Sequence, residues 1–340
     1  MNIENEQQLE DLLSRPSDAD ARAMAALEGD LLILGVAGKM GPSLAHRARR
    51  ACEKAGVKKR IIGVARFSSP EAERQLNEWG IETVKSDLLR PGALDQLPDA
   101  PNVIFMAARK FGSTGAESLT WAMNTFLPGL VAQRYREAKI VAFSTGNVYP
   151  LTPVLHGGPT EAHPTGPVGE YAQSCLGRER MFQHFSAQYG TKAALLRLNY
   201  AVEMRYGVLL DIGHKVFNRC PVNLAMGHAN VIWQGDANSV TLRSFEHCQA
   251  PPFILNLTGP ETVAVRWVAR KFGERFGVEP VLEGAESETA LLSNASQCQK
   301  LFGYPEVSVE QMVEWLAGWI EAGGSSLNKP THFETRDGKF

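Results

Sequence analysis

Four consecutive apolar residues, Leu31–Leu34, constrain this chain more than any other feature. A strand that faces water on one side alternates apolar and polar residues. A run apolar at every position needs cover on both sheet faces, as in a parallel sheet flanked by helices. Gly35, Gly38 and Gly41 follow at intervals of three, and a helical pattern then runs to Gly56. The unit repeats. Strand patterns occupy 59–66, 81–89 (with its exit loop), 101–108, 139–149 and 192–202, and helical patterns occupy 70–80, 118–138 and 169–190. Strands that alternate with helices imply βαβ crossovers, hence an α/β, Rossmann-type, doubly wound parallel sheet.

The rest is less regular. Residues 4–27 place apolar side chains at helical spacing around a break at Pro16, which predicts two short helices packed on the main domain. After residue 200 the pattern loosens, with a strand at 251–259 and helices at 265–277 and 308–324. The expected division is an N-terminal helical extension (1–29), a nucleotide-binding Rossmann domain (30–200), a substrate-binding lobe partly interleaved with it (201–325) and a polar, irregular tail (326–340).

Composition removes several function classes. A net charge of -2 with no Lys/Arg stripe argues against nucleic acid as a partner. The five cysteines are scattered without a C-x-x-C pair, so no metal site is expected and the thiols read as reduced. The acidic, polar start does not read as a signal peptide, and no apolar run approaches the ~20 residues of a membrane span. A cytoplasmic protein is the expectation.

Glycines between a buried strand and a helix permit a tight turn and close approach of backbone to a pyrophosphate, with the helix N-terminus facing the anion. Gly35, Gly38 and Gly41, with Lys39 and Met40 between the last two, therefore predict a nicotinamide dinucleotide site. The alternative is a turn whose glycines serve only helix–strand packing. The second strand ends Ala65-Arg66, where an acidic residue would hold a ribose 2′-hydroxyl. A guanidinium there suits a 2′-phosphate, so NADP is preferred over NAD.

The order of motifs resembles the extended short-chain dehydrogenase/reductase family, the NAD(P)-dependent epimerase/dehydratase group. Its markers over about 30–322 are the glycine loop, Asp87-Leu88, the strand ending Ala107-Ala108, Asn124, the segment 143–149, Tyr171 and the 256–266 strand–helix unit. The resemblance implies that Asp87 and Leu88 contact adenine and that Ala107 and Ala108 line the cofactor channel. Lys110 and Asn124 also belong to the implied cofactor site. Thr145 and Tyr171 match the catalytic hydroxyl pair, which holds the reacting oxygen and exchanges its proton. A homodimer through the helices at 118–138 and 171–188 is implied as well.

One position departs sharply. The family's Tyr-x-x-x-Lys reads Tyr171-Ala172-Gln173-Ser174-Cys175 here. A thiol supplies neither the charge that lowers the tyrosine pKa from ~10 nor a grip on the ribose. Another cation is one answer, with Arg109 and Lys110 better placed than Arg178. A reactive Cys175 is a second, and loss of turnover a third. Loops at the carboxyl ends of the strands also offer Arg109, Asn147, Tyr149, Asn199 and Arg205 to a substrate, although Arg205 equally suits an ion pair with Glu203. Asp236 reads as a helix N-cap. The expected function is hydride transfer on a hydroxylated, sugar-like small molecule; the alternative is a dinucleotide-binding sensor or scaffold.

Overall fold

The computed structural model describes residues 3–110 and 112–339. Seven strands form one parallel sheet: β1 (Leu31–Leu34), β2 (Ile61–Ala65), β3 (Glu82–Lys85), β4 (Asn102–Phe105), β5 (Lys139–Thr145), β6 (Ala193–Leu198) and β7 (Phe253–Leu257). Their order is β7-β6-β5-β4-β1-β2-β3. All four residues of β1 are buried, as their unbroken apolarity requires. The strand order reverses between β1 and β4, which opens a crevice at their carboxyl ends. The segment 251–259 lies within the range expected for the interleaved lobe. It supplies β7, which completes the sheet beside β6.

Helix α1 (Glu6–Ser14) and helix α2 (Asp18–Ala26) flank Pro16, each with a side-chain N-cap, from Asn5 and Ser17. Leu9 and Leu13 enter the core of the C-terminal lobe, whereas Met24 packs with the sheet. The extension therefore joins both parts of the molecule. Helix α3 (Gly41–Ala55) starts with Pro42 in its first turn and stops at Gly56, whose φ of 68° suits a residue without Cβ. Helix α4 (Pro70–Glu78) follows β2.

The segment predicted as one helix at 118–138 is interrupted. It runs as α5 (Glu117–Trp121), a π-helical turn (Ala122–Phe126) and α6 (Leu127–Arg134). Pro128 has no N–H for the carbonyl of Asn124, and that carbonyl receives Arg178 Nε at 3.4 Å. Helix α7 (Gly169–Tyr189) lies beside it and carries Tyr171, Cys175, Arg178 and Glu179 as buried residues.

The lobe packs α8 (Val208–Phe217), α10 (Val265–Phe276) and α12 (Val309–Glu321) around Ile212, Phe272 and Leu316. Helix α9 (Gln234–Arg243) instead docks on α2 and α3, and α11 (Ser296–Phe302) lies by β7. Asp236 is not an N-cap. It sits inside the first turn of α9, where its carboxylate accepts from the Val307 N–H at 3.2 Å. The tail is irregular but docked: Phe333 is buried in the lobe core, and Thr331 donates to Asp211.

Among the described residues, no helix is long and apolar enough to cross a membrane, and no cluster of three His, Cys, Asp or Glu could hold a metal.

Candidate active site

The glycine loop leaves β1 at the reversal of strand order. Its three glycines do different work. A Cβ at Gly35, where φ is 94°, would lie 2.6 Å from the backbone nitrogen of Ala107. One at Gly41 would lie 2.0 Å from the Val36 carbonyl oxygen. Both are therefore demanded by the packing of the turn on itself and on the exit of β4. Gly38 is exposed at the crest and is the glycine left facing outward. Met40, at the N-cap of α3, offers no side-chain acceptor to the N–H groups of the first turn. A bare helix N-terminus under an exposed glycine fits a phosphate group. Ser43 ties this end to α9: its hydroxyl donates to the Met40 carbonyl at 3.1 Å and accepts from the side chains of Gln234 and Asn238, each at 3.0 Å.

Across the crevice, β5 ends in Thr145 and α7 begins with Tyr171. The Tyr171 hydroxyl is hydrogen-bonded to the Thr145 hydroxyl and to the Cys175 thiol. Thr145 also caps the turn after β5, accepting from the Asn147 N–H at 3.2 Å and from its side-chain amide at 3.0 Å. Burial, with the neighbouring Cys175, pushes the Tyr171 phenol well above its ordinary value; the Arg178 guanidinium and Thr145 act in the opposite direction. Cys175 is fully buried among Val148, Tyr149 and Tyr171, and burial pushes its thiol up as well. A neutral thiol in that position is a packing group, not a nucleophile.

The three cations proposed for Tyr171 have distinct positions. Lys110 lines the same cavity as Tyr171 and Thr145, with its Nζ 5.9 Å from the Tyr171 ring centroid. Arg178 lies buried beneath, donating to the Phe143 carbonyl at 2.6 Å and to Asn124 Oδ1 at 3.0 Å. Arg109 turns into its own loop and donates to the Gly112 carbonyl at 2.9 Å. Burial lowers Lys110 to about 8, against the pull of Cys175 and Asp211. Asn124, in the π-helical turn, holds the loop that carries Lys110. Its side chain accepts from the Arg109 N–H and donates to the Arg109 carbonyl, both at 2.9 Å, and donates to Ser174 on α7 at 3.0 Å.

The cavity also gathers Lys39, Met40, Asn147 and Asn199. Tyr149 is not a cavity residue of this kind. Its buried hydroxyl accepts from Arg197 at 2.7 Å and donates to Asn256 at 2.8 Å. Arg205 spends its guanidinium on Glu203, Glu6 and Glu10. Ala107 is buried against Gly35, while Ala108 is exposed. Arg66 and Asp87 are exposed at the ends of β2 and β3, and Leu88 is buried beside them.

The sequence did not point to Tyr200, Tyr206, Gln234 or Thr331, which line the same cavity. Tyr200 adopts φ of 46°, and Tyr206 lies under the Lys39 ammonium, 3.1 Å from ring centroid to Nζ. Thr331 comes from the tail, 120 residues beyond the Asp211 carboxylate that it meets at 2.6 Å. No periodic pattern links residues so far apart.

Residues 31–202 match the model of the NAD dependent epimerase/dehydratase family. The fold is similar to UDP-glucuronic acid 4-epimerase from Bacillus cereus in complex with UDP-glucuronic acid and NAD (TM-score 0.71, 16% identity, 86% of this chain and 99% of that one). It is similar to UDP-glucose 4-epimerase from Thermotoga maritima with UDP-glucose (TM-score 0.69, 17% identity, 86% and 99%). It is also similar to dTDP-glucose 4,6-dehydratase from Bacillus anthracis in complex with NAD (TM-score 0.71, 16% identity, 86% and 97%). No curated protein sequence matches. The family match covers β1 to β6 together with the glycine loop, Thr145 and Tyr171, and the chain belongs to the NAD-dependent epimerase/dehydratase family.

Proposed function

We propose that this protein is an NAD(P)-dependent oxidoreductase or epimerase that acts by hydride transfer on a hydroxylated, sugar-like small molecule. One observation carries the reading. The hydroxyls of Tyr171 and Thr145 are hydrogen-bonded to each other in a cavity that also contains the end of the phosphate loop and Lys110. Sugar substrates and NAD in the similar structures support it.

Gly38 and the N-terminus of α3 would hold the phosphates of a dinucleotide, Asp87 and Leu88 its adenine end, and Ala107 and Ala108 would line the channel between; the chemistry it would supply is hydride uptake and return. Exposed Arg66 receives a 2′-phosphate, which makes NADP the preferred form. Thr145 holds the substrate oxygen, and Tyr171 exchanges its proton. A phenol raised by burial is a proton donor toward a carbonyl. To work in the other direction it needs a positive charge nearby, and Lys110 stands in for the lysine that Cys175 replaces. Leu119 and Phe126, 42% and 60% exposed around the π-helical turn, offer apolar surface for a homodimer.

The test is hydride exchange between nicotinamide cofactors and a panel of polyols and sugar acids. Tyr171→Phe is expected to lower kcat by about 10²- to 10⁴-fold with cofactor affinity retained. Tight cofactor binding with no exchange on any polyol identifies a binding protein instead. A Tyr171→Phe variant as active as the parent removes Tyr171 from the mechanism.

A further inference from the structure

The tail that follows α12 is polar and without period, yet it is fixed along its length. The Leu327 N–H donates to the Arg205 carbonyl at 3.0 Å. Thr331 gives both its backbone N–H and its hydroxyl to Asp211 on α8, at 2.8 and 2.6 Å. Phe333 is buried in the lobe core. Arg336 donates to the Thr289 carbonyl at 2.8 Å, to the Thr289 hydroxyl at 2.7 Å and to the Ala225 carbonyl at 3.2 Å. Asn328 and His332 hold φ of 51° and 52°, a left-handed conformation that residues with a Cβ keep where surrounding contacts impose it. The end of the tail lies on the start of α7: a Cβ on Gly338 would stand 2.2 Å from the Val168 carbonyl oxygen, and one on Gly169 would stand 2.4 Å from the Gly338 carbonyl oxygen. Tyr171 follows in the same helical turn.

This path makes the tail a wall of two cavities. Thr331 lines the one in front of Tyr171, which has a volume of about 170 Å³. Thr335, Arg336 and Gly338 line a second, of about 20 Å³, which shares Asn147 and Tyr200 with the first. The second has room for a single water. Beyond Asn147 and Tyr200, therefore, the tail leaves a substrate no space in which to extend.

Size decides what such a site can enclose. Pockets that bury drug-sized ligands measure roughly 300–1,000 Å³, and the cavity in front of Tyr171 is about half the lower bound. A free monosaccharide suits that space. A nucleotide sugar, about three times as large, belongs to the range above it. The family match ends at residue 202, so the tail that sets this limit lies outside the matched unit.

We propose that the substrate is a free polyol of monosaccharide size, and that the C-terminal tail, through Thr331, is the wall that excludes nucleotide sugars. The inference rests on the functional reading above, which leaves the size of the substrate open. Thr331 also gives the wall a polarity. Its proton is committed to Asp211, so its hydroxyl oxygen has only lone pairs left to offer and accepts from a hydroxyl of the substrate.

The experiment reads binding, so it is independent of turnover. The full-length protein, saturated with an oxidised nicotinamide dinucleotide, is titrated calorimetrically with D-glucose, D-galactose, D-xylose and D-glucuronate and with the UDP derivative of each. At least one free sugar is expected to bind about tenfold or more tightly than its UDP derivative. UDP derivatives that bind as tightly as the free sugars overturn the proposal, and so does a failure of all four free sugars to bind. Two full-length variants then test the wall. Arg336→Ala, which unpins the tail from Thr289, is expected to reduce the discrimination at least about threefold. Thr331→Trp, which fills the cavity from the tail side, is expected to weaken the free sugar about tenfold while changing the cofactor Kd by less than about twofold. Either effect supports the wall; parent affinities in both variants overturn it. Free-sugar binding without hydride exchange defeats the catalytic reading alone, and hydride exchange on a UDP-sugar defeats this inference alone.

Discussion

Two sides of helix α7 treat buried charge in opposite ways. On one side Glu179 receives Arg197 through two bonds, at 3.0 and 2.8 Å, and accepts from Ser144 at 2.6 Å. Arg197 passes on to Tyr149, and Tyr149 to Asn256, so that α7, β5, β6 and β7 share one closed network. On the other side Arg178 meets carbonyl and amide oxygens instead of a carboxylate, and Lys110 approaches Tyr171 from a loop. A charge neutralised within the fold holds the scaffold. Lys110 instead lines the cavity in front of Tyr171, where a change in its charge acts on the phenol. The difference explains why Glu179 and Tyr149 form structure while Tyr171 and Thr145 line a cavity, although both pairs lie on adjoining segments of sequence.

The closed side predicts the larger effect on stability. Removing one partner of a buried ion pair strands the other, at a cost of about 3–5 kcal/mol. Glu179→Gln is therefore expected to lower unfolding stability by that order in denaturant titration. A loss below about 1 kcal/mol would mean that Arg197 finds other acceptors and that the two sides are not different in kind.

The open side predicts an effect on rate. Lys110→Met is expected to lower kcat roughly 100-fold with little change in stability. The pH dependence sharpens this. With its amine lowered to about 8, Lys110 is charged below that pH and neutral above it. Its support for a Tyr171 phenolate is present below pH 8 and fades as pH rises through it. Oxidation by the parent enzyme should therefore stop rising with pH near 8. Lys110→Arg, charged throughout, should continue to rise. A break near pH 8 that persists in Lys110→Met assigns it to another group.

The sheet was legible because β1 is apolar at every position and because strand and helix patterns alternate at regular spacing after it. Leu31–Leu34 and the strand–helix alternation after it pointed to the parallel layer, and the family resemblance singled out Thr145 and Tyr171. Function in the second half was harder to read. Strand β7 lies far along the chain from its neighbour β6, and Thr331 reaches the cavity from a tail without periodicity. The glycine triplet was legible as a motif, but only the packing distances separate Gly38 from Gly35 and Gly41. The hydrogen bonds by which the Asn124 amide joins the Lys110 loop to α7 could not be read from the sequence. A sequence shows which residue types are present; it does not show which of them have already spent their hydrogen bonds on one another.

Arg66 extends the comparison to a third arginine. Arg197 is paired and Arg178 is enclosed by carbonyl oxygens, but Arg66 is exposed at the end of β2. Its substitution should leave stability within about 0.5 kcal/mol. The role proposed for it is recognition of a 2′-phosphate. A single charge-assisted contact in a solvated position is worth about tenfold in affinity. Arg66→Ala is therefore expected to raise the Kd for NADPH by roughly that factor and to leave NADH nearly unchanged, as read by fluorescence titration of the reduced cofactors. Equal losses for both would make Arg66 a contact to the shared adenosine and remove the preference for NADP.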